Sequence, residues 1–170
     1  MADRSQSEPA LVLFSERLTS SAAFGVLFRE GMDLVEETAA YLDGDGRSEA
    51  KALERSVSLT YATESMRLTT RLMQLASWLL LHRAVKEGEM TLTQANREKT
   101  KVKLSAADPG PEDMIAKLPQ QLQDLIVRSV SLQTRVRRLD TTIHTPAAER
   151  APIGNPLVPQ LNRLKAAFEQ

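Results

Sequence analysis

Residues 61–81 read YATESMRLTTRLMQLASWLLL, and their spacing decides the fold class. With Leu68 at 0° and ~100° per residue, Tyr61, Leu68, Leu72, Leu75 and Leu79 fall within about 40° of one line. Ala62, Met66, Thr69, Met73, Ala76 and Leu80 form a second stripe at roughly 80–160°. A strand would alternate every second residue, so the stretch is helical. The combined apolar arc of ~180° exceeds the ~100° stripe of a helix lying on the outside of a monomer. This helix should therefore pack against more than one neighbour, and Leu68, Leu72, Leu75 and Leu79 are expected in the core or a dimer interface.

Outward from this stretch, residues 48–87 contain neither Pro nor Gly, which predicts one helix of ~60 Å ending at Gly88. That length favours a central helix shared between two subunits. Upstream, Thr19-Ser20-Ser21 are N-cap residues. Phe24, Leu27/Phe28, Gly31, Leu34/Val35 and Leu42 then follow at helical spacing, to a glycine C-cap in Asp43-Gly44-Asp45-Gly46. Downstream, Thr91 and Gln94 form a capping box for a short helix reaching Lys99. Asp108-Pro109-Gly110-Pro111 breaks the chain. A third helix follows Pro119, with Leu122, Leu125/Ile126, Ser129, Leu132, Val136, Leu139 and Ile143 on one stripe.

The expected fold is all-α: an antiparallel three-helix bundle over residues 20–143, with helices at 20–43, 48–87 and 119–143 and a connector at 88–118, forming a homodimer. Residues 1–19 read as a flexible tail with one apolar island, Leu11-Val12-Leu13-Phe14. Prolines 146, 152, 156 and 159 make residues 144–170 a second flexible tail.

Composition narrows the function classes. The 170 residues carry 22 basic and 22 acidic side chains, so no global positive field exists for nucleic acid or anionic membrane. Cysteine is absent and only His82 and His144 occur, which excludes disulfides, thiolate chemistry and histidine-rich zinc sites. Aromatics make up 4%, so the core must be aliphatic. No signal peptide is legible and no apolar run approaches the ~20 residues of a membrane span, so a cytoplasmic chain is expected.

No catalytic constellation emerges. Asp43-Gly44-Asp45 begins like an EF-hand loop, but Arg47 and Ser48 occupy the positions of the third acidic ligand and the glycine. The pairs Glu36-Glu37, Glu87/Glu89 and Glu112-Asp113 read as solvated carboxylates, and His82 as a core or interface histidine. No cofactor or metal is expected. What remains is binding. The face carrying Glu64, Arg67, Arg71, Gln74 and Trp78 combines a lone tryptophan with arginines, the composition of a binding hot spot. The competing reading packs Trp78 under the connector at 91–118. In the C-terminal tail, Leu161, Leu164 and Phe168 make an apolar stripe fit for helix-in-groove docking on a partner, or for packing back on the bundle. Arg97, Lys99, Lys101 and Lys103, and Arg128, Arg135, Arg137 and Arg138, leave an alternative: a DNA- or nucleoid-associated protein using the third helix.

The string at 61–81 closely resembles the RcdA family, the regulators of CtrA degradation of alphaproteobacteria. Phe28-Arg-Glu-Gly-Met32, Val35-Glu-Glu-Thr-Ala-Ala-Tyr-Leu-Asp-Gly44, His82-Arg-Ala-Val85 and Glu87-Gly-Glu-Met-Thr91 extend the match across residues 20–95. The resemblance implies a homodimeric three-helix bundle and a non-enzymatic adaptor for the ClpXP protease. Its implied partners are the ClpX unfoldase, a CpdR-type receiver protein and CtrA-like cargo, and its implied location is the cytoplasm, with transient presence at the cell pole. Neither nucleic acid nor membrane is an expected partner.

Overall fold

A computed structural model describes residues 21–99 and 108–144. The described residues are all-helical: α1 Ala22–Asp43, α2 Asp45–Ala52, α3 Arg55–Lys86, α4 Leu92–Lys99, α5 Glu112–Ile115 and α6 Gln120–His144. The long helices α1, α3 and α6 pack pairwise, while α4 and α5 lie against α3. The expected tails, and with them Leu161, Leu164 and Phe168, fall outside the described residues.

Ser21 caps α1, its Oγ accepting from the Phe24 amide at 3.3 Å. Phe24, Leu27, Gly31, Leu34, Thr38 and Tyr41 then turn inward at spacings of three and four. α1 closes at the expected glycine, Gly44, but without the expected positive φ. The Gly44 amide donates to Ala40 and Tyr41 carbonyls at 3.0 and 3.2 Å, but its φ is −106°, not positive. Gly46 is needed for space instead, because a Cβ there would lie 2.7 Å from the Tyr61 hydroxyl.

The helix expected over 48–87 is two helices. Leu53 and Glu54 are extended, with ψ of 148° and 153°, and separate α2 from α3. No breaker residue marks the joint; tertiary contacts impose it. Tyr41 donates to Glu49 Oε2 at 2.8 Å from α1, while Ala50, Leu53 and Val57 pack against the core. Burial, followed by the Glu49 contact, pushes the Tyr41 hydroxyl pKa up. The remaining helix of 32 residues spans ~48 Å.

The stop of α3 is at the expected glycine. Gly88 has φ +75°, its amide donates to Val85 O at 3.1 Å, and Glu89 donates to Ala84 O at 3.0 Å. These two bonds make a Schellman motif, in which glycine occupies the left-handed position. Both bonds of the Thr91/Gln94 capping box form, at 2.9 and 3.2 Å. The core joins Phe24, Leu34 and Tyr41 of α1, Leu68, Leu72, Leu75, Trp78 and Leu79 of α3, and Leu122, Leu125, Leu132 and Val136 of α6. Gly31 lets α1 approach α3 closely: a Cβ there would overlap Leu79 Cδ1. Outside the core, Arg128 pairs with Glu37 at 2.8 Å, and Arg135 with Glu30, joining α6 to α1.

Candidate functional site

The direction in which α3 faces decides which side chains can meet a partner. Tyr61, Glu64, Leu68, Arg71, Leu72, Leu75, Trp78, Leu79 and His82 are buried. On the helical wheel they occupy about −80° to +40°, an arc of ~120°. The helix is thus rolled toward Trp78 and away from the methionines. Leu68, Leu72, Leu75 and Leu79 are core residues of this one chain.

This corrects the expectation that Glu64, Arg67, Arg71, Gln74 and Trp78 form a displayed face. Trp78 is 1% exposed, Glu64 2% and Arg71 fully enclosed; Arg67 and Gln74 are partly buried. Each enclosed polar group has a long-range partner. Glu64 Oε1 accepts from Arg67 at 2.5 Å and from the Gly110 amide at 3.0 Å, clamping the connector onto α3. A Cβ at Gly110 would sit 2.6 Å from Glu64 Oε1, so a larger residue there would displace the Glu64 and Arg67 side-chain ends. Arg71 donates to Ser129 Oγ at 2.6 Å across the α3–α6 contact. Burial pushes the Arg71 pKa down, and the fields of Glu64 and Asp108 oppose that shift.

Trp78 stacks on His82, with ring centroids 3.9 Å apart, and lies 6.4 Å from Phe24. Its indole N–H donates to Asp140 Oδ1 at 2.8 Å, while Lys99 of α4 holds Asp140 Oδ2 at 2.6 Å. Trp78 is buried, as the competing reading expects, but the groups that enclose it are Phe24 of α1, His82 of α3 and Asp140 of α6, and the connector reaches it through Lys99 and Asp140. His82 Nδ1 lies 2.9 Å from the Trp78 carbonyl in the same packed layer. Among the described residues, no group of three or more His, Cys, Asp or Glu side chains could hold a metal ion. None of their helices is long and apolar enough to cross a membrane.

Among the described residues, an apolar surface left open to a partner is the other stripe of α3. Leu59, Met66, Met73 and Leu80 are 71%, 72%, 62% and 51% exposed. They recur every seven residues, with the small residues Ala62, Thr69 and Ala76 three positions after the first three of them. A seven-residue repeat is the seam of a helix-on-helix contact. Beside it, an open groove of about 490 Å³ runs between α3 and α1, lined by Leu72, Met73, Ala76 and Leu80 and by Val35, Ala39 and Leu42. Its chemistry is apolar contact, with Asp43 and Thr69 at its polar margin. In the sequence this stripe is half of a ~180° apolar arc, which predicts packing against more than one neighbour, within the chain or across a dimer.

A helical chain with an exposed apolar heptad seam and an adjoining groove offers the kind of surface that one helix presents to another. A family model described as a protein of unknown function, DUF1465, matches residues 15–168. Among solved structures, RcdA from Caulobacter crescentus CB15 is 49% identical, with a TM-score of 0.62, over 75% of this chain and 96% of that one. No curated protein matches the chain. The chain belongs to the RcdA family, and the DUF1465 model spans most of its length.

Proposed function

We propose that this protein is a non-enzymatic adaptor for regulated proteolysis, tethering CtrA-like cell-cycle regulators to a ClpXP protease primed by a CpdR-type receiver protein. The observation that carries the reading is 49% identity to RcdA over nearly all of that chain. The surface chemistry supports it: α3 offers exposed apolar contact area, while its enclosed polar groups Glu64, Arg71 and Trp78 bond to other parts of the fold. In this reading α1, α3 and α6 are an antiparallel three-helix bundle, and two copies pair along Leu59, Met66, Met73 and Leu80. The nucleoid-protein alternative is disfavoured, because Arg128 and Arg135 of α6 are already paired with Glu37 and Glu30.

The adaptor reading is tested by a pull-down of the intact protein against the unfoldase, with and without the receiver protein. Capture that depends on the receiver and resists added salt supports a tether with an apolar core. Capture of duplex DNA that falls steeply with salt supports the alternative. The dimer is tested separately by sedimentation. Met73→Glu with Leu80→Glu should give a folded monomer, because both side chains are exposed within one chain and would be buried only between two. A wild-type monomer at micromolar concentration would refute the pairing.

A further inference from the structure

A second apolar groove lies between the first turns of α1 and the last turns of α6, distinct from the α1–α3 groove. Its volume is about 430 Å³, and its walls include Ser21, Phe24, Val26, Leu27, Arg135 and Leu139. Phe24 and Leu27 form a buried floor at 2% and 7% exposure, whereas Val26 stands on the rim at 62%. The Arg135 guanidinium is held by Glu30 and Ser21 Oγ caps α1, so the groove favours an apolar occupant over a charged one.

We propose that residues 11–14 of the same chain, Leu-Val-Leu-Phe, occupy this groove. The chain enters α1 at Ser21, which is itself a wall of the groove, so the preceding residues start at its edge. Residues 15–20 can span ~20 Å when extended. The α1 wall, residues 21–27, is only ~10 Å long, so the tether reaches every part of it. Four extended residues cover ~13 Å, which matches one pass along that wall. The segment is the only apolar island in the first twenty residues, flanked by Ser, Asp, Glu and Arg. Exposed to water it gains nothing, whereas against Phe24, Leu27 and Leu139 it buries apolar surface. The rival occupant within the chain, the stripe Leu161-Leu164-Phe168, is tethered through residues 145–160. Effective concentration falls roughly as the −3/2 power of tether length, so the six-residue link favours the N-terminal segment by about four-fold.

The proposal is tested on the full chain by hydrogen exchange. Leu13→Asp with Phe14→Asp, and separately the rim variant Val26→Asp, should each speed exchange about ten-fold at residues 22–27 and 135–139. Exchange around Leu72 should stay unchanged. A labelled peptide of residues 9–18 should bind the Leu13→Asp/Phe14→Asp chain more tightly than the wild type, whose groove is filled. Unchanged exchange in both variants would overturn the proposal. So would a peptide of residues 159–170 that displaces the 9–18 peptide and binds the wild type equally well, or cross-links of residues 11–14 that form only between two copies.

Discussion

Replacing Trp78 by alanine should destabilise the protein severely, and the size of the loss follows from three contacts. The indole is 1% exposed, stacks on His82 at 3.9 Å and reaches Phe24 at 6.4 Å. Emptying such a site costs about 3–5 kcal/mol. That total includes the bond from its N–H to Asp140 at 2.8 Å, since a hydrogen bond to a charged partner contributes about 1.5–3 kcal/mol. Trp78→Phe removes this bond while retaining most of the ring, so it should cost about half as much as Trp78→Ala. For chains of this size, 1 kcal/mol moves Tm by about 2–4 °C, so Trp78→Ala should lower Tm by about 6–20 °C. Circular dichroism is the appropriate assay, because the substitution removes the only tryptophan. A Trp78→Ala protein that melts within about 2 °C of wild type would refute the buried placement and restore Trp78 as a displayed binding residue.

Other predictions concern packing and pH. Gly31→Val should cost about 1–3 kcal/mol in urea unfolding, because its Cβ would overlap Leu79 Cδ1 in a fully buried layer; a neutral effect would contradict the close α1–α3 approach. The hydrogen bond from Arg135 holds the Glu30 pKa below its ordinary 4.5, so its contribution is present above that value and is lost as pH falls through the lowered one. The stability gap between wild type and Glu30→Gln, measured by urea midpoints from pH 7 to pH 3, should therefore close in acid. A gap independent of pH would show that the pair contributes nothing through its charge.

Local signals in the sequence proved most legible. The stop at Gly88, the Thr91/Gln94 box and the Ser21 cap each depend on atoms within a few residues. The core stripe Leu68, Leu72, Leu75 and Leu79 also follows from periodicity alone. The break at Leu53–Glu54 was not legible, because it is imposed by Tyr41 and the core rather than by a breaker. The roll of α3 was misjudged for a related reason. Glu64, Arg71 and Trp78 look solvent-facing until Gly110, Ser129 and Asp140 are known to meet them, and those partners lie 46 to 62 residues away. A signal was nevertheless available: Glu64, Arg71 and Trp78 recur every seven residues, in register with Tyr61, Leu68, Leu75 and His82. That pattern marks a buried seam, with polar members where apolar ones are usual.

The adaptor reading meets its most direct test in a reconstituted degradation assay with purified ClpXP, the CpdR-type receiver and a CtrA-like cargo. The account predicts that cargo half-life shortens at least several-fold when this protein is added with the receiver, and not with either alone. It also predicts that the protein has no effect on cargo in the absence of the protease. A cargo half-life unchanged by the complete set, with the protein folded and present in excess, would contradict the adaptor function.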